Sequence, residues 1–383
     1  MAIDAGHGGC LDWGVPDPSE RGVELAEKTL TLAIAQRLRD RLTAEGVVVL
    51  MIRDDDEALA GDEYPNLGCT GPPWRDVDGD GQSGFEESGR IRTRDELQAR
   101  IDLANLAMAD AFVSIHINSL TQDGVVFEIA ATQTFYDDET PWGPASGALA
   151  DALQSGVVAA IEPLADYDRE DRDTDAVAFY VISRTWQDGD TCETPGDTWC
   201  KPHRGLAMPG ALAEVGSITL REEHDLLASA EGQDAIADGL FDGVAEFLAG
   251  RELAARIGLD GEAPGTVPAP ADGLGPPFIA PVGPTAPVRL RLTNTGVGQW
   301  PPGVELVAGW EVSDLPYLAA EPATLSPLSA EIPRLAPGES VVVQITLPDA
   351  PQERSIAWIT LRADGRPMSD IGSAAMQVIS EAD

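Results

Sequence analysis

The hydrophobic rhythm of this chain changes once, and the change divides it. Up to about residue 248, short apolar runs alternate with stretches whose apolar residues recur at helical spacing. Beyond 288 only period-two alternation remains. In the first part, residues 2–5 end an apolar run that enters a glycine-rich turn. Leu30, Ile34, Leu38 and Leu42 then mark one face of a helix over 27–45, which Gly46 stops. The run Val47–Ile52 predicts a strand covered on both faces. A helix is expected over 89–108, strands over 111–115 and 125–131, and a helix over 145–161. Strands at 178–182 and 211–215 precede a last helical region over 220–248. Strands alternating with helices predict an α/β domain over residues 1–250 with a mainly parallel sheet flanked by helices. In such sheets, sites gather at the carboxyl ends of the strands.

Residues 251–277 are rich in Gly, Pro and Ala and read as a semi-stiff linker. After it, Val288, Leu290 and Leu292 alternate, as do Val341, Val343, Ile345 and Leu347, with turn chemistry at Asn294-Thr-Gly296 and Pro337-Gly338. Residues 278–383 are therefore expected to form an immunoglobulin-like β-sandwich. Its Trp300, Trp310 and Trp358 are expected in the core.

Composition excludes some partners. The formal net charge is −40, and Lys28 and Lys201 are the only lysines. Nucleic acid and anionic lipid demand basic patches, so neither is an expected partner. No stretch is long and apolar enough to span a membrane, and a monomer is expected. The four cysteines include no Cys-x-x-Cys pair. Cys192 and Cys200 bracket a short polar loop suited to a local disulfide, which leaves Cys10 and Cys69 for a second. Two disulfides would place the chain in an oxidising compartment, secreted or in the cell envelope; four reduced, buried thiols are the alternative. No export signal is visible, and the opening Ala-Ile-Asp-Ala reads as the tail of a first strand, so upstream residues are expected to be missing.

Three distant segments each present one metal-binding side chain: His7 in Ile-Asp-Ala-Gly-His-Gly-Gly, Glu27 in Ala-Glu-Lys-Thr-Leu, and His116 in Val-Ser-Ile-His-Ile-Asn-Ser. Two imidazoles and a carboxylate are the ligand set of a catalytic zinc that keeps its fourth position for water. Glu214, at the end of an apolar strand, supplies a free acid beside it. Zinc would lower the pKa of bound water towards ~7, and Glu214 would take that proton and pass it to a departing amide nitrogen. Each residue has a plainer reading when taken singly: a glycine turn, a hydrogen-bonded core histidine, an acid favouring a helix N-terminus, a buried ion-pair partner. Glu24 competes with Glu27 for the ligand role.

Four ordered motifs, Ile3 to Gly9, Glu27-Lys28, Arg100 to Asp110 with Ser114 to Asn118, and Pro209 to Gly216, resemble those of the zinc-dependent N-acetylmuramoyl-L-alanine amidases of type 3. The resemblance covers about residues 2–248. It implies a phosphorylase/hydrolase-like amidase domain, zinc on His7, Glu27 and His116, and Glu214 as catalytic acid/base. It also implies peptidoglycan as substrate, cut between the lactyl group of N-acetylmuramic acid and L-alanine of the stem peptide. The chain departs from that pattern in having Cys10 and Leu11 before Asp12, Ser217 after the last Glu-x-Gly, and insertions near 54–88 and 184–206. A zinc carboxypeptidase or endopeptidase on wall stem peptides, and a non-catalytic wall-binding protein, are the rival readings.

The first insertion carries a second metal pattern. Asp76, Asp78 and Asp80 at loop positions 1, 3 and 5, Gly81 at 6, Gln82 at 7 and Glu87 at 12 partly match an EF-hand loop. Position 8 is Ser83 and no clear helix precedes it. Structural calcium is the expectation, with a solvated acidic loop as its alternative. His203 and His224 are expected at the surface, His224 on the solvent side of the last helix.

Overall fold

The computed structural model describes residues 1–15, 25–78, 83, 93–119, 121–122, 125–184, 204–260, 287–313, 318, 321–368, 373 and 375–380. The chain forms two compact units: Met1–Ala104 with Ala111–Phe247, and Leu248–Asp383 with Asn105–Asp110.

In the first unit, β1 (Ala2–Ala5) is buried at every position, as expected of a strand covered on both faces. Helix α1 (Glu27–Ala44) follows, burying Leu30, Ile34, Leu38 and Leu42 as their spacing predicts. Gly46 ends it in the left-handed region that glycine adopts without penalty. Next come β2 (Leu50–Met51), α2 (Arg94–Leu106) and β3 (Phe112–Asn118). The short pair β4 (Thr121–Gln122) and β5 (Val125–Val126) leads to β6 (Ala130–Tyr136), α3 (Gly143–Ile161) and β7 (Arg169–Ala176). Strand β8 (Gly210–Ser217) is followed by α4 (Arg221–Ala228) and α5 (Ala230–Ala249).

Six strands form one mixed sheet in the order β2-β1-β3-β8-β6-β7. Every neighbouring pair is parallel except β6 and β8. Helix α1 packs on β1 and β3, and α3 packs on β6, β7 and β8. Helices α3 and α5 approach backbone to backbone, since a side chain at Gly156 or Gly239 would overlap the other's carbonyl.

Several elements differ from expectation for identifiable reasons. Within 47–52 only Leu50 and Met51 pair with a neighbouring strand. The strand expected at 125–131 is instead the hairpin arm β5 and the start of β6. Tyr180–Ile182 is a buried 3-10 turn, not a strand. A short run of consecutive apolar residues has no alternation for periodicity to decide between the two. The last helical region breaks at Ser229, whose hydroxyl accepts the Gly232 N–H at 2.9 Å. Strand β7 carries the sequence Arg-Glu-Asp-Arg-Asp-Thr-Asp-Ala and has no apolar face; it is an exposed, charge-protected sheet edge.

The second unit is β-rich. Antiparallel β9 (Ala255–Leu259), β10 (Val288–Asn294) and β13 (Ser340–Ile345) form a three-stranded sheet. A second sheet holds β11 (Glu305–Val312), β12 (Ser326–Pro327), β14 (Ser355–Ala363), β15 (Arg366–Pro367) and β16 (Met376–Ser380). Leu290, Leu292 and Ile345 from the first sheet share one core with Leu306, Ile359 and Leu361 from the second. Trp300 and Trp358 are buried, and Trp310 donates to the Pro348 carbonyl at 3.1 Å. Strand β9 lies inside the stretch expected to be linker; residues 261–277 of that stretch lie outside the described residues.

Candidate metal centre

The turn after β1 is fixed from beneath by two buried guanidiniums. Arg100 of α2 donates to the Ala5 carbonyl at 2.9 Å and the His7 carbonyl at 2.7 Å. It also pairs with Asp4 at 2.5 Å and Glu96 at 2.8 Å. Asp4 in turn accepts the Ser114 hydroxyl from β3 at 2.7 Å. Arg53 donates to the Ala5, Gly6 and Lys28 carbonyls at 2.8, 3.0 and 2.6 Å. Held this way, His7 adopts a left-handed backbone with φ 63°, a conformation that costs an L-residue free energy and persists only where surroundings impose it.

The His7 ring sits between two carboxylates. Its Nδ1 lies 2.8 Å from Asp12 Oδ1 and its Nε2 lies 3.1 Å from Glu27 Oε1. Glu27 opens α1, and the same Oε1 lies 3.2 Å from His116 Nδ1 and accepts the Ile117 N–H at 2.9 Å. Glu27 Oε2 accepts the Val15 N–H at 2.8 Å. The two imidazoles meet edge to face with centroids 4.8 Å apart. Ligand atoms of His7, Glu27 and His116 all lie within 4.8 Å of one another, so the three could hold a metal ion. The backbone comes close here: a side chain at Gly14, which has φ 65°, would overlap Glu27 and His7.

His116 is the fifth residue of β3 and Glu214 the fifth of β8, inside their strands rather than beyond their ends. They share one rung of the parallel β3–β8 ladder, so their side chains project from the same face. Glu214 Oε2 is shut from solvent and has no hydrogen-bond partner among the described residues. A buried carboxylate oxygen left unmatched is costly and marks a site awaiting a ligand or a proton.

Charge follows from this geometry. Burial alone would push the His7 imidazole down, but the Glu27 and Asp12 carboxylates outweigh it and raise its pKa to about 10. Burial would raise Glu27, yet His7 and His116 hold its carboxyl well below the usual range. For Glu214, burial and then the negative charge of Glu27 push the pKa up to about 8, with His7 pulling the other way. Two acids in one site thus have opposite protonation preferences, the pattern of a division of labour between them.

Outside the cluster, Lys28 fastens the glycine turn. It donates to the Gly9 carbonyl at 2.5 Å and pairs with Asp56 at 2.6 Å, while Asp56 accepts the Gly9 N–H at 3.0 Å. A disulfide joins Cys10 to Cys69, with Cα atoms 5.6 Å apart, and the Cys10 N–H donates to Asp62 at 2.7 Å. The first insertion is thereby tied to the turn that bears His7.

Residues 1–246 match the N-acetylmuramoyl-L-alanine amidase family. This chain belongs to that family. The amidase is 28% identical over 245 residues to the protein YqiI of Bacillus subtilis (strain 168), covering 64% of this chain and 82% of that one. It is 25% identical over 246 residues to the germination-specific N-acetylmuramoyl-L-alanine amidase of the same organism, covering 64% and 78%. Among solved structures it is similar to the CwlD amidase of Clostridioides difficile in complex with the GerS lipoprotein. That match has 21% identity and a TM-score of 0.43, and covers 64% of this chain and 96% of that one.

The remaining expectations divide. In the acidic loop, Asp78 faces the Arg94 guanidinium at 2.7 Å, and Asp95 accepts the Val77 and Asp78 N–H groups at 2.7 and 3.1 Å. The carboxylates of Asp76, Asp78 and Asp95 are close together, but a cation already sits against Asp78. Asp80, Gln82 and Glu87 lie outside the described residues, as do Glu24, His203, Cys192 and Cys200. His224 is not at the surface of the amidase. It is buried, with Nε2 3.0 Å from the Leu25 carbonyl, because α4 turns that face inward. Asp12, Asp56, Arg53 and Arg100 went unassigned as supports of the site. Arg100 opens the third motif and Asp12 follows the glycine turn, so the sequence marked both places, whereas nothing marked Asp56 or Arg53. Among the described residues no helix is long and apolar enough to cross a membrane.

Proposed function

We propose that the chain is a zinc-dependent hydrolase of peptidoglycan, cutting the amide between N-acetylmuramic acid and L-alanine of the stem peptide. The observation that carries this reading is the meeting of His7, Glu27 and His116 at one point, with Glu214 on the rung beside His116. The donor set fits zinc: two imidazoles and a carboxylate, preorganised by Asp12 and by the Ile117 and Val15 N–H groups. A zinc ion bound there would act as a Lewis acid on the scissile carbonyl and on water.

The protein's own groups supply the proton traffic. Among the described residues Glu214 Oε2 has no hydrogen bond to satisfy it, and burial beside Glu27 raises its pKa to about 8, so it gains and loses a proton near neutrality. It would accept the proton of the attacking water and deliver it to the amide nitrogen as the C–N bond breaks. Loss of that proton donor leaves an amine anion as leaving group, which is why the acid is indispensable to amide cleavage. Glu27 stays ionised and so remains a ligand.

The Cys10–Cys69 bridge supports an oxidising, extracytoplasmic setting. The two packed antiparallel sheets of the C-terminal unit support an immunoglobulin-like module, carried by a monomeric enzyme. Digestion of purified peptidoglycan with and without chelator, read by mass spectrometry, tests the activity. Intact stem peptides whose release stops with chelator are expected. Peptides cut internally would replace the amidase reading with a peptidase, and no release from zinc-loaded protein would remove it.

A further inference from the structure

We infer that Asp12 is the positioning residue of the metal centre, fixing the proton of His7 on Nδ1 so that Nε2 faces the metal. This rests on the zinc reading given above. An ionised carboxylate can only accept hydrogen bonds, and Asp12 Oδ1 lies 2.8 Å from His7 Nδ1. Nδ1 therefore carries a proton, and when a metal replaces the proton on Nε2, which lies 3.1 Å from Glu27 inside the cluster, the ring keeps its remaining proton toward Asp12.

The chain spends several contacts on holding Asp12 there. Its Oδ1 also accepts the Gly14 N–H at 3.3 Å, and its carbonyl accepts the Gly8 N–H at 2.9 Å, closing residues 8–12 into an isolated bridge. Two residues earlier, Cys10 is bonded to Cys69 and hydrogen-bonded to Asp62. The carboxylate is thus carried on a loop braced by covalent and polar ties to the first insertion. A carboxylate behind a metal-binding imidazole fixes its tautomer and orientation and raises its basicity.

The test measures zinc affinity by competition with a chromophoric chelator for wild type, Asp12→Ala and Asp12→Asn. It is read beside the ¹⁵N ring-nitrogen spectrum of the zinc-loaded wild type. Asp12→Ala should weaken zinc binding by about 10–100-fold. Asp12→Asn should weaken it less, since its Oδ1 still accepts the Nδ1–H. The spectrum should show His7 protonated on Nδ1 and metal-bound through Nε2. Folded Asp12→Ala binding zinc within about twofold of wild type would overturn the inference, as would His7 bound through Nδ1. Should Asp12→Ala fail to fold, the wild-type spectrum decides alone. A wild type that binds no zinc would remove the underlying reading of the site instead, a result distinct from either.

Discussion

Glu214 and His116 stand side by side on adjacent parallel strands, on the same rung of the ladder that joins β3 to β8. One strand therefore presents a ligand candidate and its neighbour an acid, at a separation that the sheet spacing sets rather than a mobile loop. Glu214→Gln keeps the shape and removes the titrating group. It is expected to lower the rate of amide cleavage by about 10²–10⁴-fold while leaving zinc affinity within about threefold, a comparison of digestion kinetics against metal titration.

The pKa of His7 is raised from 6.5 to about 10 in the metal-free protein. A raised pKa means the folded state holds the proton more tightly than the unfolded chain. The stabilisation is therefore complete below pH 6.5 and is lost as pH climbs through about 10. Glu214 acts in the same direction, its share lost as pH rises through about 8. Thermal melts with chelator should show Tm falling between pH 6.5 and 10, and falling less steeply in His7→Gln.

Metal affinity should run the opposite way. A cation must displace the Nε2 proton of His7, so zinc binding releases protons and tightens as pH rises. Titrations at pH 6, 7 and 8 should show stepwise tighter binding; affinity that ignored pH would mean that His7 is not a ligand.

Arg100 is wholly buried and satisfies two carboxylates and two carbonyls at once. Arg100→Leu strips Asp4 and Glu96 of their counter-charge inside the fold. Removing one partner of such a buried cluster costs about 3–5 kcal/mol. Chemical denaturation should show that loss, and a second substitution, Asp4→Asn, should restore part of it.

The Cys10–Cys69 bridge closes a loop of 59 residues in sequence separation. By the chain-entropy argument a loop of this length is worth about 4 kcal/mol. Cys69→Ala, or full reduction, is expected to lower stability by that order in equilibrium unfolding.

The site was more legible than its supports. His7, His116, Glu27 and Glu214 stand out because histidine is scarce, with 4 in the chain, and because glycine turns and apolar strands frame them. The groups that hold them are Asp12, Asp56, Arg53 and Arg100. Arg100 and Asp12 at least stand in or beside the motifs, but Asp56 and Arg53 belong to a background of 65 acidic and 25 basic residues, where no pattern tells a buried partner from a solvated one. The fold shows the same contrast. α1 and β10 announce themselves through apolar periodicity, whereas β7 buries so little that no alternation is written into it. Strand β9 hid beside a proline-rich neighbour, and His224 looked solvent-facing because its inward partner is a main-chain carbonyl 199 residues away.

Gly6 and Gly14 line the cluster with bare main chain, one against the His116 ring and the other against Glu27 and His7. Mutational drift at either position has nowhere to go, since the smallest side chain collides with a ring or carboxylate that is itself tied down. Variation around the metal centre must therefore arise at positions other than these two. A library built to retarget this enzyme would be wasted on these two glycines.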